Sequence, residues 1–416
     1  MPFDSDYALF GTGVAPLVAA SHLLAQGKSV VVINPDRDFF LEDSELSLDP
    51  MLSRTNSKFP KGFGERLQRN SIERALATLR PDFPGAIEGW IGADERRDER
   101  RVERREDRRN RGAGFHDSSA PHVRSRGFEW MISETPQGLS QEAFDELFVE
   151  SSDAGLNPQL WENLQAARRF PGGAEGARQI QGLFVPRLCD VDVARYRNGL
   201  LEFVRERLGA ENFFSSAEQF EIAPGGVRFA VHSEPKSFNI REGLLVFWTP
   251  KVTSWILKQA KKTGATPQLP VGLRLWEQWS VISRDALDPS CVGLFEDMAV
   301  WAEAEGAANP EEGLYRLAVL RAGALVGLQA SELRDAGSSW VSEDSLGILT
   351  SLCHDFLRWE RFTLRSMKAR ALLEWRDEKS WKLPTQDLSV QIVNASDGPL
   401  VDVVRVARAS VAEATL

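Results

Sequence analysis

The sequence predicts an α/β protein of two domains, the first built round a dinucleotide-type βαβ unit and the second a mixed-sheet α+β body. Three observations carry this. Residues 7–34, YALFGTGVAPLVAASHLLAQGKSVVVIN, read as strand, glycine turn, helix, strand. The 416 residues are more than one small core needs. Further apolar strands, LLVFWTP ending at residue 250 and LSVQIVN near the C-terminus, lie far along the chain from that first unit.

The elements follow in order. YALF is the first strand, and the helix runs from about Val14 to Gln26, stopping at Gly27, a natural residue just past a helix end. SVVVIN is an uninterrupted β-branched run of the kind buried in a parallel sheet, ended by the turn Asn34-Pro35-Asp36. Residues 140–170 read as helical. LFVPRLCDV gives a short strand and a loop, followed by a long amphipathic helix over about 192–208 that stops at Gly209. A strand near Asn212–Ser215, a hairpin through Pro224-Gly225-Gly226 and the buried strand GLLVFWTP come next. Residues 271–305 alternate in the strand manner. Residues 311–335 and 341–376 read as helices, the second rich in aromatics and arginine. The chain closes with a strand, a turn and a helix carrying Val401, Val404, Ala407 and Val411 on one stripe.

Residues 94–111, DERRDERRVERREDRRNR, stand apart. Arginine pairs recur every four residues with acids between them, a pattern for i,i+4 ion pairs on an exposed helix without an apolar face. Nine arginines face seven acids, so little net field remains for nucleic acid. The segment reads as a solvated charged insertion.

Composition excludes several classes. The chain is 42% hydrophobic and 26% charged, an ordinary globular balance. A net charge of −10 argues against nucleic acid and against an anionic membrane surface. The start MPFDSDYALF lacks a basic leader, and no window approaches the ~18 apolar residues of a membrane span. The expectation is a cytoplasmic protein with no membrane span, a small-molecule substrate and room for a protein partner. Cys189, Cys291 and Cys353 are widely spaced and read as reduced, buried thiols. His116 and His122 lack enough neighbouring ligands for a metal. The tryptophans, Trp248, Trp276, Trp279 and Trp301 among them, read as core. Arg274 and the arginines of 358–370 read as surface or ion-pair residues, with a carboxylate clamp as the alternative.

A dinucleotide presents a pyrophosphate. Gly11 permits a tight turn after the strand, and Gly13 lets the backbone come close to the phosphates. The first helical N–H groups, at Val14 and Ala15, then face the negative charge with the helix dipole behind them. Pro16 stands where a third glycine is usual; it falls in the first turn, where its missing N–H costs no helical bond. Asn34 stands where an acid is usual and accepts a ribose hydroxyl bond without charge assistance.

Gly11, Gly13, Leu17, Ala19, Ala20, Gly27 and Val30–Ile33 resemble the FAD/NAD(P)-binding Rossmann-type flavoprotein superfamily: D-amino-acid oxidase, glycine oxidase, amine oxidases and phytoene desaturases. The block 183–250 is similar to the segment that returns to the cofactor domain, with AEQFEIAPGGVRF resembling the strand pair that flanks the adenine, Phe220 among its residues. NASDGPLVDVVRVARASVAEA resembles the closing motif at the flavin ribityl–phosphate region, with Asp397 and Gly398 the matching residues. Three points depart from the pattern: Pro16, Asn34, and LEDSELSLDPMLSR in place of the usual Gly-Gly-Arg. Gly11-Thr12-Gly13 and Asp36-Arg37 are also similar to the Rab GDP-dissociation inhibitors, which share the fold and bind no flavin. The resemblance implies an FAD-binding Rossmann-type domain from 1–80, 180–255 and 385–416, and a second domain from 81–179 and 256–384. It implies FAD-dependent oxidoreduction of a small amine, amino acid or apolar substrate, with a cofactor-free binding protein, or a pseudo-enzyme in a protein complex, as the alternative. It names no catalytic residue and no metal.

Overall fold

The computed structural model describes residues 4–11, 13–35, 72–79, 123–133, 141–153, 155–161, 180–191, 193–248, 250–264, 272–285, 291–295, 298–309, 311–323, 344–374, 380–385, 387–394 and 400–415. The N-terminal unit is β1 (Ser5–Phe10), α1 (Val14–Ala25) and β2 (Val30–Ile33), followed by α2 (Ile72–Leu79). Then come β3 (Val123–Ser133), α3 (Gln141–Asp153), β4 (Gln159–Trp161), β5 (Ile180–Val191) and α4 (Val193–Leu208). A meander follows: β6 (Phe213–Phe214), β7 (Ala217–Ala223), β8 (Gly226–Val231) and β9 (Glu234–Phe247), leading into α5 (Pro250–Thr263). Next are β10 (Gly272–Ser283), β11 (Cys291–Phe295), β12 (Met298–Asn309) and β13 (Glu312–Gly323), then α6 (Asp344–Ser351). The chain closes with β14 (Phe362–Glu374), β15 (Ser380–Leu383), β16 (Ser389–Val393) and α7 (Leu400–Ala414).

Two eight-stranded sheets organise these elements. The first runs β15-β16-β9-β1-β2-β6, with β7 and β8 attached through β9. Strands β16, β9, β1, β2 and β6 are mutually parallel, with Tyr7 opposite Val30 on one side and Gly243 on the other. β9 serves two partners in series. Glu234–Asn239 pairs antiparallel with β8, and Ile240–Val246 then pairs with β1.

The runs read as buried strands are buried on both faces, as parallel strands between two layers must be. Tyr7, Leu9, Val30, Val32, Leu245 and Phe247 point to a layer formed by α1, α4 and α7. Ala8, Phe10, Val31, Ile33, Leu244 and Val246 point the other way, to the meander and α5. The C-terminal stripe lies where its spacing places it, with Val401, Val404, Ala407 and Val411 all buried against the first layer. The second layer is aromatic: Phe10 stacks on Phe220 at 3.9 Å between ring centroids, and Trp255 meets both edge-on.

The second sheet runs β14-β10-β13-β12-β11-β3-β5-β4 and is antiparallel except where β11 meets β3. Trp279, Val281, Tyr315, Leu317 and Val319 form its core with Leu349, Leu352, Cys353, Leu357 and Trp359. α6 and the π-helical turn Leu352–Phe356 supply part of that cover.

Three expectations are corrected here. The helix expected over 311–335 is the strand β13 where it is described, and residues 324–335 lie outside the described residues. The helix expected over 341–376 is helical only to Phe356, and Phe362–Glu374 is β14. Helix propensity in GLYRLAVLRAG and TLRSMKARALLE loses to pairing, because β10 binds β13 on one side and β14 on the other along nearly its whole length. Within 140–170 the described residues form α3 and then the strand β4, and residues 162–170 lie outside the described residues. β5 is longer than the short strand expected. Its Pro186 and Arg187 stand against the single Gly127 at a bulge, where a missing N–H breaks no ladder bond. The 94–111 insertion, His116 and His122 lie outside the described residues.

Candidate functional site

Because β16, β9, β1 and β2 are parallel, their carboxyl ends share one edge of the sheet. In open α/β sheets that edge is where ligands enter. Gly11, Asn34, Trp248 and Asn394 each follow directly on one of these four strands.

The turn after β1 explains its glycines separately. A Cβ at Gly11 would stand 2.8 Å from Phe247 Cβ, and Gly11 adopts φ +152°, so this glycine is required by the approach of β9. Gly13 caps α1 at φ 92° and ψ −165°, a conformation open to glycine alone. No side chain bonds to the helix start and no acid lies in its first turn. Pro16 removes one amide, so the N–H groups of Val14 and Ala15 are those an anion meets. Val14 and Ala15 are buried, which strengthens any charge interaction made there.

Asn34 is fully buried, at 0% exposure. Its backbone bridges β2 to the meander: its N–H donates to the Phe214 carbonyl at 2.8 Å and its carbonyl accepts from Ala217 at 2.9 Å. Phe220 is buried at a bulge of β7, and its carbonyl accepts the Trp255 indole N–H at 2.7 Å. Asp397 and Gly398 lie outside the described residues, as do Thr12, Asp36 and Arg37. On either side of Asp397 stand Asn394, which is buried, and the first turn of α7 with the buried Asp402. Trp248 closes the edge between β9 and β16. It is 1% exposed, its N–H donates to Val393 at 2.8 Å, and its ring lies 5.1 Å from that of Trp381.

The amino edge of the same sheet carries charges instead. Lys28 Nζ binds Glu242 at 2.6 Å, Arg241 pairs with Asp6 at 3.2 Å, and Ser29 donates to Asp6 through its N–H and its hydroxyl. Burial raises the Asp6 pKa, but the Ser29 bonds and the Arg241 and Lys28 charges outweigh it and the net shift is downward. The Lys28 bond holds Glu242 below its usual range. Burial first, then the Glu242 carboxylate and Asp6, drive the Tyr7 phenol above its usual range. Its hydroxyl donates to the Ala414 carbonyl at 3.0 Å and ties the end of α7 to β1.

In the second sheet, Glu277 is fully buried and accepts a short hydrogen bond from the Ser345 hydroxyl on α6. Neither residue was singled out by the sequence; a lone glutamate in a strand of alternating residues gives no signal of burial. Burial pushes the Cys353 thiol up to about 12, the mark of an inert core cysteine. Arg358, Arg361 and Arg365 are exposed, and Trp248, Trp279 and Trp359 are core, as expected for each. Among the described residues no group of three His, Cys, Asp or Glu side chains is placed to hold a metal. No helix among them is long and apolar enough to cross a membrane.

No protein-family model and no curated protein matches the sequence. Solved structures do match the fold. NikD, an amino acid oxidase essential for nikkomycin biosynthesis, aligns in its open form with a TM-score of 0.61 at 12% identity, covering 99% of this chain and 93% of its own. Glycine oxidase from Bacillus cereus gives 0.59 at 12% identity, with 99% and 95% covered. The glycerol-3-phosphate dehydrogenase from Bacillus halodurans, complexed with FAD, gives 0.56 at 12% identity, with 99% of this chain and 64% of that one covered. The class these matches define is one of fold: the chain shares the mixed α/β fold of these solved structures. It is similar in fold to the amino-acid oxidases NikD and glycine oxidase over nearly its full length.

Proposed function

We propose that the protein is an FAD-dependent oxidoreductase acting on a small amine, amino acid or apolar substrate. The observation that carries this is the uncapped, acid-free start of α1 behind Gly13, set at the carboxyl edge of a parallel sheet. That start fits a pyrophosphate, since two amides and a helix dipole face it and no carboxylate opposes it. In this reading Gly11 and Gly13 shape the phosphate turn, and the Val14 and Ala15 amides hold the phosphates. Asn34 accepts a ribose hydroxyl, Phe220 borders the adenine, and Asp397 and Gly398 meet the ribityl–phosphate region. The cofactor domain is drawn from 1–80, 180–255 and 385–416 and the substrate domain from 81–179 and 256–384; the second sheet falls in the latter except for β5, which pairs with β3 and β4, and the first sheet takes β15 from it. The flavin, when bound, supplies the chemistry by accepting a hydride from the substrate. The chain's own residues bind, orient and exclude water, and Trp248 with Trp381 closes one side of the edge. The substrate reading is supported by amino-acid oxidases sharing the fold; at this identity the fold alone is common.

A cofactor-free binding protein on the same scaffold is the second reading, and two residues favour it. Pro16 stands in the place of a third glycine, and the fully buried Asn34 in the place of an acid. Purified protein is expected to be yellow, with absorption near ~450 nm from an oxidised isoalloxazine. If colourless, it should take up added FAD and melt higher, with about 2.7 kcal/mol gained at 100 times the dissociation constant. A colourless protein that also takes up no added FAD would overturn the enzyme reading in favour of the second.

A further inference from the structure

The second sheet contains a contact that the cofactor edge does not use. Trp279 is fully buried, and its indole N–H donates to the Met367 sulfur, Nε1 to Sδ 3.0 Å. The two residues are directly opposed across β10 and β14, and Met367 packs against the core that contains Trp279. Yet Met367 is only partly buried. It lies on β14, the outermost strand of its sheet, which pairs only with β10 among the described residues. The pairing shifts register just beyond it, between Ser280 and Val281. Met367 is thus a partly exposed residue whose sulfur bonds a buried indole, whereas Cys353 is fully buried.

We propose that Met367 is a peroxide-oxidisable modification site coupled to the core of the second sheet through Trp279. The sulfur lone pair attacks one oxygen of hydrogen peroxide. The O–O bond breaks, an S–O bond forms and water leaves; the thioether is oxidised by two electrons and the peroxide is reduced. At 3.0 Å the nitrogen–sulfur gap has no room for an oxygen between the two atoms, so the sulfur must shift away from the indole N–H. The buried indole N–H then loses its acceptor, and the packing round it loosens. Peroxide as the physiological oxidant rests on the oxidase reading above, since oxidases of this kind deliver substrate electrons to oxygen. The site itself does not rest on that reading.

The test uses the full chain and reagent hydrogen peroxide, with or without flavin bound. Peptide mass spectrometry should find a sulfoxide at Met367, with a tryptophan-emission change and a fall in melting temperature of several degrees. Methionine sulfoxide reductases should reverse all three. In Met367→Leu, a volume-conserving change, the fold should hold and neither emission nor melting should respond to peroxide. Met367→Gln should melt near the oxidised wild type without treatment. A Met367 that stays reduced while melting falls, an oxidised Met367 with unchanged melting, or an unaltered response in Met367→Leu would each overturn the proposal. Because peroxide is supplied, a negative result leaves the flavin reading untouched. A colourless protein likewise leaves this test intact.

Discussion

The two sheets are stabilised differently, although each has eight strands. The first is covered by layers on both faces, and its central strands carry side chains with 0–3% exposure in both directions. The second has a described core on one face, built largely by α6 and the turn after it, and it ends in the long outer strand β14. In the first sheet, order comes from burying whole strands between layers. In the second, it comes from a ladder in which β10 holds β13 and β14 together. Losing one element should therefore damage the first sheet throughout, whereas damage to the second should depend on where it falls along β10.

The largest expected effect tests the first half of that contrast. A chain ending at Leu388 loses β16 and α7, and with them Val390, Ile392, Val401, Val404, Ala407 and Val411, all buried. It should be insoluble or lack a cooperative melting transition; a soluble, cooperatively melting product would show that the sheet stands without its C-terminal strand. Next comes Trp279→Ala, which empties the centre of the second core. It should cost about 3–5 kcal/mol in denaturant unfolding, and a loss below ~1 kcal/mol would mean the core collapses over the gap. Gly11→Ala is smaller. The added Cβ meets Phe247 at 2.8 Å from a backbone conformation side chains rarely adopt, so about 1–3 kcal/mol should be lost. Phe247→Gly, which removes the Cβ that the new side chain meets, should couple with Gly11→Ala in a double-mutant cycle, and an additive pair would deny the coupling.

The smallest effect is in the pH dependence of the amino edge. Asp6 and Glu242 titrate below their unfolded values. Their contribution is present above the unfolded carboxylate range and disappears as pH falls through the lowered folded values. Glu242→Gln should flatten the acid limb of the melting curve by less than about 1 kcal/mol, since the Lys28 pair is partly exposed. An acid limb unchanged in shape would remove the pair from the account.

Legibility in the sequence followed the same divide. SVVVIN announces a strand buried in a parallel sheet, and LSVQIVN an apolar strand that a sheet must cover. Gly11 and Gly13 were readable as a turn. That Gly11 serves the approach of Phe247 was not, because Phe247 is distant in sequence. β13 and β14 carry Leu, Ala, Arg and Met, which favour helices in isolation, and only β10 makes them strands. The alternation Tyr315, Leu317, Val319 was a period-2 signal that helix formers masked. At the candidate site the glycine turn and the helix start behind it were legible. The Asn34 and Phe220 carbonyl contacts were not, since both depend on how the meander folds back on β2 and α5.

The pairing of β1 with β9 sets a timetable for synthesis. Tyr7 finds Gly243 only after more than two hundred further residues have left the ribosome. At roughly 5–20 residues per second, β1 and β2 wait about 12–50 s for their neighbour, and β9 then waits about 7–29 s for β16. During that interval two apolar, low-charge strands are available to any other nascent chain. Asp4 and Asp6 precede the first run, and Lys28 precedes the second. Charges in those places act as gatekeepers against strand association. In the finished protein Asp6 and Lys28 are tied to Arg241 and Glu242, residues of the strand whose arrival ends the wait.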